Sequence, residues 1–241
     1  MLHANLLSTR YAFVDVETTG FSPVTCAVVE VACLVIDGGH VAAMFETLIN
    51  PQQSIPSYVT DIHGITDRDV VTKPRLTEVE PFLEAMCDGA IVVAHNAAFD
   101  LGFLPFLRKN RSICSYRLAA RVVPEAPNHR NQTLREFFRV SDPILNSRAP
   151  HRALADVAVT RHVFFACLRR YLYAGLPDNI ASLVAFTRRH PQLCRYELRT
   201  PCHPEQCACA ECCRSIEGQR LPWSSVTRTV STATAPKFRF R

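Results

Sequence analysis

Long apolar runs are missing from this 241-residue chain, the longest being broken by Glu30 and Asp37. None approaches the roughly 18–20 residues needed to span a bilayer, so no membrane role is expected. Met1 to Arg10 lacks both a basic leader and a long apolar stretch, so it does not read as a secretion signal. The eleven cysteines are therefore expected as reduced thiols in a cytoplasmic protein. Lysine is scarce, 3 residues against 24 arginines. That bias can reflect genomic base composition as easily as phosphate binding, and no function is drawn from it. With 48% hydrophobic and 20% charged residues the chain is not disordered, collagen-like or coiled-coil. One globular domain with an appendage remains.

Charge of one sign is also missing from long stretches. Residues 11–104 carry 3 basic and 13 acidic side chains, whereas residues 105–175 carry 13 basic and 4 acidic. Residues 176–213 balance at 4 against 4, and residues 214–241 carry 6 basic and 1 acidic, which supplies the whole formal net charge of +5. The split suits a cation site beside an anion-binding surface, or simply two solvated faces.

Tyr11 to Glu17 reads as a strand that ends at Thr18-Thr19-Gly20. Strands at about Cys26–Ile36 and His40–Ile49, joined through Gly38-Gly39, form an antiparallel hairpin. Short helical turns follow at Pro56–His63 and Thr66–Val71, then a helix at Leu76–Cys87. Ala90–Ala94 is wholly apolar, as in a strand buried on both faces, and precedes a helix from Ala97 to Lys109. A strand at Ser112–Tyr116 and helices at Arg117–Val122, Gln132–Arg139, Ala153–Tyr173 and Asp178–His190 complete the pattern. The expected architecture is α/β, a mixed sheet flanked by helices. A globular unit over residues 10–174 is followed by residues 175–241: a helix, a Cys-rich segment and a basic, flexible tail.

Asp15 and Glu17 lie two apart on a strand and so point to one face. Such a pair is either a surface pair or a site for a hard cation, which would keep both ionised. Asp100 starts a helix after a buried strand, a place that favours an acid through the helix dipole and also lines ligand crevices in sheets of this kind. His151 and Asp156 are five apart and would diverge by about 140° on one helix. They converge only if His151 stays in the loop set by Pro150.

Taken in order, Asp15-Val-Glu17-Thr-Thr-Gly, Ile62-His-Gly-Ile-Thr66, Ala94-His-Asn-Ala-Ala-Phe-Asp100 and His151-Arg-Ala-Leu-Ala-Asp156 closely resemble the DEDDh exonucleases. These include the proofreading epsilon subunit of bacterial DNA polymerase III and its DnaQ-like relatives. The resemblance runs from about Arg10 to Tyr173 and implies a ribonuclease H-like five-stranded mixed sheet. It implies that Asp15, Glu17, Asp100 and Asp156 hold two divalent cations, Mg2+ or Mn2+, with His151 as general base. Two ions about 4 Å apart can generate hydroxide and stabilise the charge on phosphate and leaving oxygen, and a neutral imidazole suits the base. Thr18, Thr19 and Gly20 would bring amides to the terminal nucleotide, and His63 would approach its base or sugar. Asn96 and Phe99 resemble pocket positions, Phe99 being equally suited to core packing.

The implied activity is 3′→5′ hydrolysis of single-stranded or frayed DNA to nucleoside 5′-monophosphates, in proofreading or repair, with a DNA polymerase as a partner. RNA trimming and an inactive nucleic-acid-binding scaffold are the alternatives. Arg108, Lys109, Arg111, Arg148 and Arg152 are candidates to track a single strand, or are solvated. Outside the resemblance, Cys202, Cys207, Cys209 and Cys212 could supply a structural Zn2+ site. The alternative is free thiols, because only one CxxC pair is present.

Overall fold

The computed structural model describes residues 6–146 and 151–188. The Cys-rich segment, the basic tail, Arg148 and Pro150 lie outside them. Strand β1, Tyr11–Thr18, is buried at every position except Asp15 and Glu17, which are half-buried. It pairs antiparallel with β2, Val28–Asp37, which pairs antiparallel with β3, His40–Leu48. On its other edge β1 pairs parallel with β4, Ile91–Ala94, which pairs parallel with β5, Ser112–Cys114. The sheet order is β3-β2-β1-β4-β5, the five-stranded mixed sheet that the motifs implied.

Among the described residues eight α-helices link or follow these strands: α1 Ser57–His63, α2 Asp67–Val70, α3 Leu76–Met86, α4 Ala97–Phe103, α5 Ser115–Val122, α6 Asn131–Phe137, α7 Ala153–Tyr173 and α8 Ile180–Arg188. Alternation along β1 divides them into two layers. Tyr11 and Phe13 pack with residues of α5, α7 and α8, whereas Ala12, Val14 and Val16 pack with residues of α3 and α4. By the same alternation Asp15 and Glu17 face the α7 layer. Helix α7 lies close against the sheet because its first turns are lined by Ala153, Ala155 and Ala158, all buried. Edge-to-face contacts of Phe164 with Tyr11, centroids 4.9 Å apart, and with Phe13, 5.5 Å, lock it there.

Two elements depart from the periodicity reading. The helix expected from Ala97 to Lys109 stops at Phe103 and resumes as a 3-10 turn over Pro105–Lys109. Pro105 lacks an amide hydrogen and drives Leu104 out of helical geometry, to φ −115° and ψ 63°. The strand expected over Ser112–Tyr116 ends at Cys114, and Ser115 already opens α5.

Candidate active site

The site grows from the carboxyl-terminal end of β1. A bulge between Glu17 and Thr18 ends the regular pairing with β2 just past the two acids. Asp156 enters from the first turn of α7. One carboxylate oxygen from each of Asp15, Glu17 and Asp156 lies within 4.8 Å of the other two. Asp100 joins from the first turn of α4, 2% exposed, with its Oδ2 buried and without a hydrogen-bond partner. The preceding Asn96 takes the left-handed conformation, φ 72°, which turns the chain sharply from β4 into α4 and brings Asp100 against β1.

Burial favours the protonated form of all four acids, and for Asp15 and Glu17 the neighbouring carboxylates add to it. Burial, then the charges of Asp156, Glu30 and Asp100, push Glu17 up to about 9. Burial raises Asp100 to about 8. Asp15 is driven well above the carboxylate range by burial and by Asp100, Asp156, Glu17 and Glu30. Asp156 is raised by burial and drawn part of the way back by His151, Gln132 and Asn131. An oxygen-only donor set with an unpartnered buried oxygen fits hard divalent cations such as Mg2+ or Mn2+, whose charge would reverse these shifts. The zinc candidates Cys202, Cys207, Cys209 and Cys212 fall outside the described residues, and the five described cysteines are free thiols.

His151 stands off the helix, as convergence with Asp156 requires. Its backbone is left-handed, φ 58°, and α7 begins only at Ala153. The ring is exposed, its Nδ1 4.0 Å from Asp156 Oδ2. Asp156 is oriented from α6, where Gln132 Nε2 donates to its Oδ1 at 2.6 Å and Asn131 Nδ2 donates to its backbone carbonyl at 3.1 Å. Arg152 turns inward and grips Glu30 of β2, with Nε 3.1 and 3.0 Å from the two carboxylate oxygens. These supports escaped the motif reading. The available signal was Glu30 itself, one charge inside the apolar run Val28 to Ile36, which must find a partner when buried.

The substrate candidates are distributed around this cluster. Thr18 Oγ1 donates to the Gly20 carbonyl at 2.6 Å. The Thr19 amide donates to Ala27 O at 2.8 Å, and its hydroxyl accepts from Gln53 Nε2 at 2.7 Å and from the Ala27 amide at 3.0 Å. Gly20 is buried against Cys26 and Tyr58, leaving no room for a side chain. His63 is buried at the end of α1, and its Nδ1 accepts from the Ile65 amide at 3.0 Å, so the neutral ring carries its proton on Nε2. Asn96 is exposed, whereas Phe99 packs on Phe103 with centroids 5.0 Å apart. Of the basic candidates, Arg108 donates to the Leu101 carbonyl, Lys109 pairs with Glu84, and Arg111 is exposed.

A family model described as exonuclease matches residues 12–164. A DNA polymerase III of PolC type from Caldanaerobacter subterraneus is 30% identical over 177 residues, 70% of this chain and 12% of the polymerase. A DNA polymerase III subunit epsilon-like protein of Rhodobacter capsulatus is 33% identical over 191 residues, 75% of this chain and 27% of that protein. The chain thus spans a small part of the curated relatives it matches. Among solved structures, exonuclease X in complex with 5′-overhanging duplex DNA superposes with a TM-score of 0.61 at 25% identity, covering 73% of this chain and 99% of that one. Exonuclease I of E. coli with a dT13 oligonucleotide shares the fold, at a TM-score of 0.58 and 17% identity over 73% of this chain and 46% of that one. With its sheet order, its acids at the end of β1 and a family match over more than half its length, the chain belongs to the exonuclease family.

Proposed function

We propose that this protein is a metal-dependent 3′→5′ exonuclease that removes nucleoside 5′-monophosphates from a single-stranded or frayed DNA end. The observation that carries the reading is the convergence of Asp15, Glu17 and Asp156 within 4.8 Å, beside the unpartnered oxygen of Asp100. These four residues would hold two Mg2+ or Mn2+ ions, which when bound supply positive charge for the phosphate and a more acidic water. His151, exposed at the rim, accepts the proton of the attacking water on a ring nitrogen. Asp156 faces the imidazolium that results, and Gln132 and Asn131 keep that carboxylate in place.

Thr18, Thr19, Gly20, His63, Asn96 and Phe99 border the terminal nucleotide in this reading. The nucleic acids in the exonuclease X and exonuclease I structures favour DNA over RNA. The polymerase relatives favour work in proofreading or repair, in association with a polymerase and in the cytoplasm. No described helix is long and apolar enough to cross a membrane. The structural zinc in the cysteine cluster and the division of the chain at residue 174 are part of the same proposal.

The test is release of mononucleotides from labelled single-stranded DNA, RNA and mismatched duplex, with and without Mg2+. Metal-dependent release from the 3′ end of DNA is expected, abolished in Asp15→Ala and Asp156→Ala while both stay folded. Full activity in both variants defeats the two-metal assignment, and faster release from RNA moves the substrate to the alternative class.

A further inference from the structure

We propose that Glu30 and Arg152 form a clamp that positions His151 over the carboxylate cluster, and that catalysis depends on it although neither side chain touches the substrate. The inference rests on the reading of His151 as the base.

Glu30 is the register partner of Glu17 across β1 and β2, so the two side chains share a face. Glu30 is fully buried. A carboxylate buried beside four others persists only if it is neutralised and its lone pairs are filled. Arg152 does both. Its Nε lies 3.1 and 3.0 Å from the two oxygens and its Nη2 2.5 Å from Oε1, a fork that a lysine cannot reproduce. The Ala153 amide adds a fourth hydrogen bond at 2.9 Å.

That amide is the first of α7, a helix with no side-chain N-cap of its own. Glu30 therefore caps α7 from a strand more than a hundred residues earlier in the chain. The segment Arg152-Ala153 is thus pinned to the sheet that carries Asp15 and Glu17. His151 is the next residue toward the N-terminus. Its ring is exposed and beyond hydrogen-bond distance of the Asp156 carboxylate, so its place is set through its backbone. That backbone is left-handed, φ 58°, a conformation that a non-glycine residue keeps only where its surroundings impose it. The Arg152 charge also leaves the cation site facing four uncompensated carboxylates rather than five.

The experiment measures kcat and KM of the full chain on a labelled single-stranded oligonucleotide in saturating Mg2+, with thermal melting as the folding control. Arg152→Lys and the double variant Glu30→Gln/Arg152→Gln break the fork, and the second leaves no unpaired buried charge. Both are expected to lower kcat about 10- to 100-fold with KM within about twofold, the effect of a misplaced catalytic group. His151→Ala added to the double variant is expected to cost nothing beyond His151→Ala alone, because both changes act through one group. Losses that multiply, or a kcat within about twofold of the parent in the folded double variant, overturn the clamp and leave the base assignment standing. Full activity of His151→Ala overturns both.

Discussion

Removing divalent metal at rising pH should destabilise this protein, and neutralising one carboxylate should relieve it. Glu17 is the clearest case, because its pKa rises from 4.5 to about 9 through burial and then the charges of Asp156, Glu30 and Asp100. A carboxylate with a raised native pKa binds more protons folded than unfolded, so stability falls as pH rises from about 4.5 toward 9. At pH 7 the metal-free protein keeps Glu17 protonated across the interval from 4.5 to 7, at about 1.4 kcal/mol per pH unit, or about 3 kcal/mol. Glu17→Gln, a neutral isostere, avoids that term. For a domain of this size it should raise the metal-free Tm by about 6–12 °C at pH 7, with a gain that shrinks toward pH 4.5. Mg2+ should stabilise the parent and have little effect on the variant. Calorimetry in EDTA and in Mg2+, between pH 5 and pH 9, reads all of this. A variant Tm at or below that of the parent in EDTA at high pH, or a parent Tm that does not fall with pH, refutes the electrostatic account of the site.

His151→Ala should lower kcat by about 10²- to 10⁴-fold, the usual contribution of a general base, while leaving Tm and oligonucleotide affinity near those of the parent. Gln132→Ala removes the 2.6 Å hydrogen bond to Asp156 and should raise the half-saturating Mg2+ concentration by about tenfold or more in activity titrations. Gly20→Ala would set a Cβ 2.7 Å from Cys26 Sγ and 3.1 Å from the Tyr58 hydroxyl; a lower kcat/KM with a modest fall in Tm is expected, measured on the same oligonucleotide. Phe164→Ala opens a hole between α7 and β1 and should cost about 3–5 kcal/mol in urea denaturation, with Asp156 losing its support as well.

Much of the fold was legible from local signals. The apolar run Tyr11 to Val16, the Gly38-Gly39 turn and the helical spacing from Ala153 to Tyr173 each report on neighbours a few residues away, and the matching elements are present. The end of α4 was misread because amphipathic spacing continues through Phe106 and Leu107 while Pro105 breaks the backbone ladder. The motif order pointed to five residues that the fold places at one end of the sheet, although they are spread over about 140 residues of chain.

Arg152 marks the boundary of such reading. As a sequence residue it is one more basic side chain in a basic stretch, suited to a phosphate; in the structure it is committed to Glu30, whose carboxylate caps the N-terminus of α7. Periodicity and turn residues are local quantities, so the chain by itself indicated most of its elements and a mixed sheet with helices on its faces, and the resemblance in motif order singled out the candidate acids. Which buried charge meets which partner is decided only when β2 and α7 pack together. Burial makes an unpaired charge too costly to keep, and nothing in local sequence says which distant residue will come within reach to pair it.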